Sequence, residues 1–117
     1  MRSLGLDAEV AAALPPGVLD VVASSRERTD IERLRSLDPP TPWDTVLFTA
    51  KEATYKAWHP VTGILLSHDD VEVRLSPDGR FTSVASAASR PGARGALHVR
   101  GRWALGPRAV VSLAVVE

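Results

Sequence analysis

The sequence predicts an α+β domain, and three features carry that prediction. Segments with helical periodicity gather before residue 63, and segments that alternate apolar and polar residues gather after residue 70. Such segregation favours helices on one face of an antiparallel sheet over alternating βαβ units. The third feature is size: 117 residues, 44% of them hydrophobic, supply one small core, so residues 1–117 are read as a single domain.

Residues 3–9 read as a short strand running into a loop. Leu4 and Leu6 fall on one face and Asp7 and Glu9 on the other. Gly5 either admits another backbone or a ligand, or weakens the strand. Two carboxylates two residues apart at a strand end can hold a divalent cation, and they can equally be an ordinary polar strand face. Residues 10–14 are alanine-rich and stop at Pro15-Pro16. Residues 16–23 start a short helix with a proline in its first turn. Ser24-Ser25 then cap a helix over 26–37, whose apolar stripe of Ile31, Leu34 and Leu37 is narrow. Its other faces mix arginines with Glu27, Asp30 and Glu32, which reads as a solvated, ion-paired helix or as a basic patch for an acidic partner. Asp38-Pro39-Pro40 is a stiff connector.

The central helix follows. Thr41 is the expected N-cap, Pro42 the first helical residue and Asp44 the first-turn acid. His59-Pro60 is expected to end it, because the residue before proline avoids the α region. Inside it, Glu52 and Lys56 are i,i+4 neighbours on a face that Phe48 extends, while Lys51 lies about 100° around the axis. Glu52–Lys56 reads as a surface salt bridge. A carboxylate flanked by two ammonium groups also suits a site that joins a hard cation to phosphates.

Past Gly63 the periodicity changes. Apolar Ile64-Leu65-Leu66 leads to Asp69-Asp70 and a strand over 71–75. Ser76-Pro77-Asp78-Gly79 is a turn with fixed φ at proline and left-handed backbone at glycine. A strand over 80–86, a loop over 87–95 marked by Arg90-Pro91-Gly92, a strand over 96–105 and a strand over 109–116 complete the chain. The last four strands are expected to be antiparallel.

Formal net charge is zero, which argues against a general nucleic-acid binder. There is no cysteine, so a disulfide framework and a cysteine-ligated zinc are excluded and a cytoplasmic home is natural. Asp7 and Glu9 interrupt the N-terminal stretch at once, so neither a signal peptide nor a membrane span is expected there.

Phe48-Thr49-Ala50-Lys51-Glu52-Ala53-Thr54-Tyr55-Lys56-Ala57-Trp58 resembles the F-(S/C/T)-A-K-E-(A/S)-x-x-K-A signature of the 4′-phosphopantetheinyl transferases. The match continues through Pro60-Val61-Thr62-Gly63. Gly5-Leu6-Asp7-Ala8-Glu9 resembles the family's other motif, G-(I/V/L)-D-A-E, and the two stand in the family's order. Leu14-Pro15-Pro16-Gly17-Val18-Leu19-Asp20, Gly79-Arg80-Phe81 and Gly101-Arg102-Trp103 resemble the surfactin-synthetase-activating type, in particular its actinobacterial members.

The resemblance implies transfer of the phosphopantetheine arm of coenzyme A to a serine of an acyl or peptidyl carrier protein, with 3′,5′-ADP leaving. The setting it implies is fatty acid, polyketide or nonribosomal peptide biosynthesis. It further implies a Mg²⁺ ion on Asp7, Glu9 and Glu52, and contact of Lys51 and Lys56 with the coenzyme A phosphates. Glu52 and Lys56 would be catalytic, Glu52 or a water on it accepting the serine proton. His59 stands where an aromatic residue is often found, and also reads as a helix-end histidine near the last carbonyls. Enzymes of this type have two similar halves, and the chain resembles only the second. The expected consequence is a homo-oligomer, as in the short trimeric holo-acyl-carrier-protein synthases, or pairing with a complementary N-terminal half. The alternative is a non-catalytic half acting as a binding or assembly module. An exposed apolar face accompanies any of these.

Overall fold

A computed structural model describes residues 2–87 and 95–117. In chain order these form β1 (Ser3–Val10), α1 (Val18–Val22), α2 (Ser25–Leu37), α3 (Trp43–Thr62), a 3-10 turn (His68–Asp70), β2 (Val71–Leu75), β3 (Arg80–Ala85), β4 (Leu97–Leu105) and β5 (Ala109–Val116). The strands make one sheet in the order β1-β5-β4-β3-β2, antiparallel throughout. The α+β prediction and the antiparallel run of the last four strands both hold. The long-range step is β1, which pairs with β5 so that Ser3 faces Val116 and Val10 faces Ala109.

α3 lies across β1 and β5 and supplies much of the core. Trp43, Val46, Leu47, Ala50, Ala53 and Ala57 are buried with Val73, Val99 and Val110 of the sheet. Alanines on the sheet-facing side let the helix sit low, and Gly5 lets it sit lower still. A Cβ on Gly5 would overlap the Ala53 carbonyl oxygen and the Ala57 amide nitrogen. Of the two readings of Gly5, close backbone approach is the one realised. It also sets the faces of β1: Ser3, Gly5 and Asp7 turn inward under α3, and Leu4 and Leu6 turn outward.

Several boundaries differ from expectation. α3 starts at Trp43 with Pro42 in the N-cap position, one residue later than expected, and Thr41 instead donates its hydroxyl to Asp38. α3 also runs through Pro60 to Thr62. Proline removes one helical donor, but the ending is secured around it. Gly63, at φ 68°, donates its amide to the His59 carbonyl over 2.8 Å, and Trp58 Nε1 donates to the Ile64 carbonyl over 2.7 Å. α1 begins at Val18 behind Gly17, whose φ of 85° keeps residues 16 and 17 out of the helix.

α2 opens on a capping box in which Ser24 and Glu27 exchange hydrogen bonds. Gly79, at φ 92°, takes the left-handed position foreseen for the turn. Residues 88–94, which include Arg90-Pro91-Gly92, lie outside the described residues. Among the described residues no helix is long and apolar enough to cross a membrane.

Candidate functional site

The site forms where α3 crosses β1. Register puts Asp7 opposite Ser112, and Ser112 Oγ lies 2.7 Å from Thr49 Oγ1, a hydroxyl pair that ties α3 to β5. One turn later Thr54 and Ser83 make a similar pair at 2.8 Å, tying α3 to β3. With the helix so fixed, Lys56 Nζ donates to Asp7 Oδ1 over 2.9 Å. The Asp7 side chain is buried, while Lys56 keeps 54% of its side chain exposed. The partner of Lys56 is thus the strand carboxylate, not the i,i+4 neighbour Glu52. Asp7 Oδ2 is buried and, among the described residues, has no hydrogen-bond partner.

Glu9 and Glu52 belong to the same electrostatic neighbourhood. Burial raises the Glu52 carboxyl above its usual range, Asp7 raises it further, and His68 and Lys56 oppose them. Burial likewise raises Glu9, reinforced by the charges of Asp7 and Glu52 and opposed by Lys56. The Lys56 ammonium is held above the usual lysine value, first by its hydrogen bond to Asp7 and then, against partial burial, by the three carboxylates. Three carboxylates therefore share one field, and the lysine that answers them is half in solvent.

Among the described residues no three His, Cys, Asp or Glu side chains are grouped closely enough to enclose a metal ion. The donor chemistry nonetheless fits Mg²⁺. Asp7, Glu9 and Glu52 offer hard oxygen ligands, one oxygen is buried and unpartnered, and Mg²⁺ keeps several waters while taking few protein carboxylates.

Lys51 stands apart from this cluster. Its side chain is 1% exposed and its ammonium lies 2.8 Å from Glu27 Oε1. It also donates to the Val22 carbonyl over 2.5 Å and to the His68 carbonyl over 3.1 Å, which uses all three of its protons. Glu27 in turn accepts from the Ser24 amide over 2.9 Å and from the Val73 amide, on the outer edge of β2, over 2.7 Å. This corrects two expectations: the Lys51 ammonium is not presented to a phosphate, and Glu27 is not a solvated helix charge.

His68 is the residue that sequence reasoning missed. It sits on the 3-10 turn with its ring edge-on to Tyr55, centroids 6.2 Å apart. It opposes the rise of the Glu52 carboxyl, and among the described residues its buried Nδ1 has no hydrogen-bond partner. Nothing local in Ser67-His68-Asp69 marks it, because its place depends on the Lys51 bond to its carbonyl. His59 is exposed in the last turn of α3.

Comparison with known proteins agrees with the two motifs. The chain is 40% identical over 116 residues to 4′-phosphopantetheinyl transferase Svp of Streptomyces mobaraensis, covering 97% of this chain and 47% of that protein. It is 38% identical over 122 residues to 4′-phosphopantetheinyl transferase PptT of Mycobacterium tuberculosis, covering 99% and 52%. With 4′-phosphopantetheinyl transferase Npt of Nocardia iowensis it shares 38% over 112 residues, covering 87% and 49%. The chain spans about half the length of the curated relatives it matches. The family model described as the 4′-phosphopantetheinyl transferase superfamily matches residues 3–106, from the strand that carries Asp7 and Glu9 to the end of β4, and the chain belongs to that superfamily.

Proposed function

We propose that the chain is the metal- and phosphate-handling half of an enzyme that moves the phosphopantetheine arm of coenzyme A onto a serine of an acyl or peptidyl carrier protein. The serine oxygen bonds to the phosphorus next to pantetheine, the bond from that phosphorus to the bridging oxygen breaks, and 3′,5′-ADP leaves. The observation that carries the reading is Lys56, half exposed and hydrogen-bonded to buried Asp7, with Glu9 and Glu52 in the same field. Phosphoryl chemistry chiefly requires charge neutralisation and positioning, and this arrangement offers both.

Asp7, Glu9 and Glu52 are the residues that would hold Mg²⁺, with water filling much of its shell. When bound, the ion supplies charge stabilisation on the pyrophosphate oxygens. Lys56 meets the phosphate charge from the solvent side. Glu52, directly or through water, takes the serine proton, a role suited to a carboxyl raised by burial. Lys51 contributes from beneath, by fixing the rotation of α3 that aims Glu52 at β1. The site is completed by a region like the half of the relatives that this chain does not match, and the setting is cytoplasmic. Incubation with coenzyme A, Mg²⁺ and an apo carrier protein, followed by weighing the carrier, tests the proposal. The expected result is a gain of one phosphopantetheine when a complementary half is present. No gain with several carriers in either condition would defeat it.

A further inference from the structure

The chain that leaves α3 doubles back along it and is fastened at every second residue. Trp58 Nε1 donates to the Ile64 carbonyl over 2.7 Å, the Tyr55 hydroxyl to the Leu66 carbonyl over 2.6 Å, and Lys51 Nζ to the His68 carbonyl over 3.1 Å. Residues 51, 55 and 58 share one face of the helix, so the returning segment is laid along that face. Its last fastening sets His68 against the turn of α3 that carries Glu52. The His68 backbone is held by the residue before Glu52, and its ring stands edge-on to Tyr55, three residues after Glu52. Around the helix axis Tyr55 and Lys56 lie on opposite sides of Glu52. Lys56 bonds Asp7 on one flank, and His68 stands on the other.

The hydrogen-bonding state of the two side chains fits that placement. Glu52 is half-buried, and among the described residues it has no hydrogen-bond or ion-pair partner. The other carboxylates on the elements around the turn are occupied or in water. Asp20 of α1 pairs with Arg28, Glu27 pairs with Lys51, Asp70 accepts from Ser67, and Asp69 is exposed. On His68, Nδ1 is buried without a partner, while Nε2 is neither sealed nor bonded among the described residues. A proton on Nδ1 would meet no acceptor, so the ring presents its N–H at Nε2. Burial and Asp7 raise the Glu52 carboxyl, and of the two groups that oppose them His68 acts more strongly than Lys56.

We propose that His68 is the positioning residue of Glu52: its Nε2–H, directly or through one water, holds the carboxylate turned toward Asp7 and Glu9 for the divalent cation. The inference rests on the metal-binding part of the proposed function and adds the group that orients one of its three carboxylates. Metal-ligating side chains are commonly held by a hydrogen bond from an outer residue, and loss of that bond weakens metal binding by about 10–100-fold. The two lysines are already committed. Lys51 spends its protons in the interior and sets only the helix beneath Glu52, and Lys56 is bonded to Asp7. His68 is the remaining donor beside the Glu52 side chain.

The test needs neither a second polypeptide nor turnover. Mn²⁺, a hard divalent probe, is titrated into the whole chain and the free ion followed by electron paramagnetic resonance. His68→Phe keeps a ring beside Tyr55 and the carbonyl that Lys51 holds but has no N–H, and is expected to weaken Mn²⁺ binding by about tenfold or more. His68→Gln returns an amide N–H near the place of Nε2 and is expected to stay within about threefold of the unsubstituted chain. His98→Ala, exposed on β4, should leave binding unchanged. With Glu52 already changed to Gln, His68→Phe should add little further loss, because it acts through Glu52. Circular dichroism of each variant confirms that it is folded. Equal affinity in the unsubstituted chain and His68→Phe, equal losses in His68→Phe and His68→Gln, or an undiminished loss in the Glu52→Gln background would each overturn the inference while leaving the metal site in place. No Mn²⁺ binding, or binding that Asp7→Asn leaves intact, would overturn it together with the metal site. Binding in the expected pattern by a chain that transfers nothing leaves the role of His68 standing and removes only the transferase reading.

Discussion

Lys51 Nζ and Glu27 Oε1 lie 2.8 Å apart in the interior, joining α3 to the first turn of α2 with almost no water contact. The pair reaches the end of α1, the outer edge of β2 and the His68 turn through four further hydrogen bonds. Glu52 is the next residue on α3, so whatever holds Lys51 also sets the direction of Glu52. A buried ion pair is costly to break and cheap to replace as a unit, because breaking it strands one uncompensated charge.

Lys51→Met or Glu27→Gln alone is therefore expected to cost about 3–5 kcal/mol, and the double substitution much less than the sum. Urea unfolding of the four proteins measures this as a double-mutant cycle. Additive losses would show that the two side chains are independent.

Lys56→Met is expected to behave differently. Lys56 is half exposed, so the loss of stability stays near the ~1–3 kcal/mol of leaving Asp7 unpaired. Transfer, assayed with a complementary half present, should fall by about 10²–10³, the scale of removing one charge-stabilising donor. Wild-type turnover by a folded Lys56→Met protein would remove it from the site.

Gly5→Ala is expected to destabilise by about 1–3 kcal/mol, since the new methyl group meets the backbone of α3 where nothing flexible can yield. The displaced helix should also lose the Lys56–Asp7 bond, visible as a changed Lys56 side-chain signal by NMR. Thermal melting unchanged from wild type would mean that α3 does not sit against β1 as described.

Glu9 and Glu52 both carry carboxyls raised above 4.5, so the folded chain holds their protons more tightly than the unfolded chain. Their contribution to stability is complete below that value and is lost as pH climbs through the raised folded values. In chelator-treated buffer Glu52→Gln should flatten this decline and raise stability at neutral pH, by no more than about 1 kcal/mol for a group only partly buried. Melting curves across pH 4–8 for the two proteins decide it, and a steeper decline in the variant would contradict the sign.

Much of the local structure was legible in the residues. Alternation marked β2, Pro77 and Gly79 marked the turn, and Ser24 marked a helix start. The helix end was misjudged because the bias before Pro60 is a preference, and the Gly63 and Trp58 hydrogen bonds outweigh it. Asp7, Glu9, Glu52 and Lys56 were legible as candidates through the two motifs, and the pairing of Lys56 with Asp7 was not. An i,i+4 spacing makes contact available but does not choose between a neighbour on the same helix and a buried carboxylate that needs a cation more.

The sequence by itself determined the class of fold, the residue types suited to phosphate and metal chemistry, and the strand and helix that carry them, because those depend on periodicity and side-chain chemistry within a few residues. Tertiary structure decided which of two adjacent lysines faces the solvent and which is sealed inside. That choice depends on how deeply α3 settles on Gly5 and on the carboxylates from α2 and β1 that lie waiting at each side, contacts made between positions tens of residues apart.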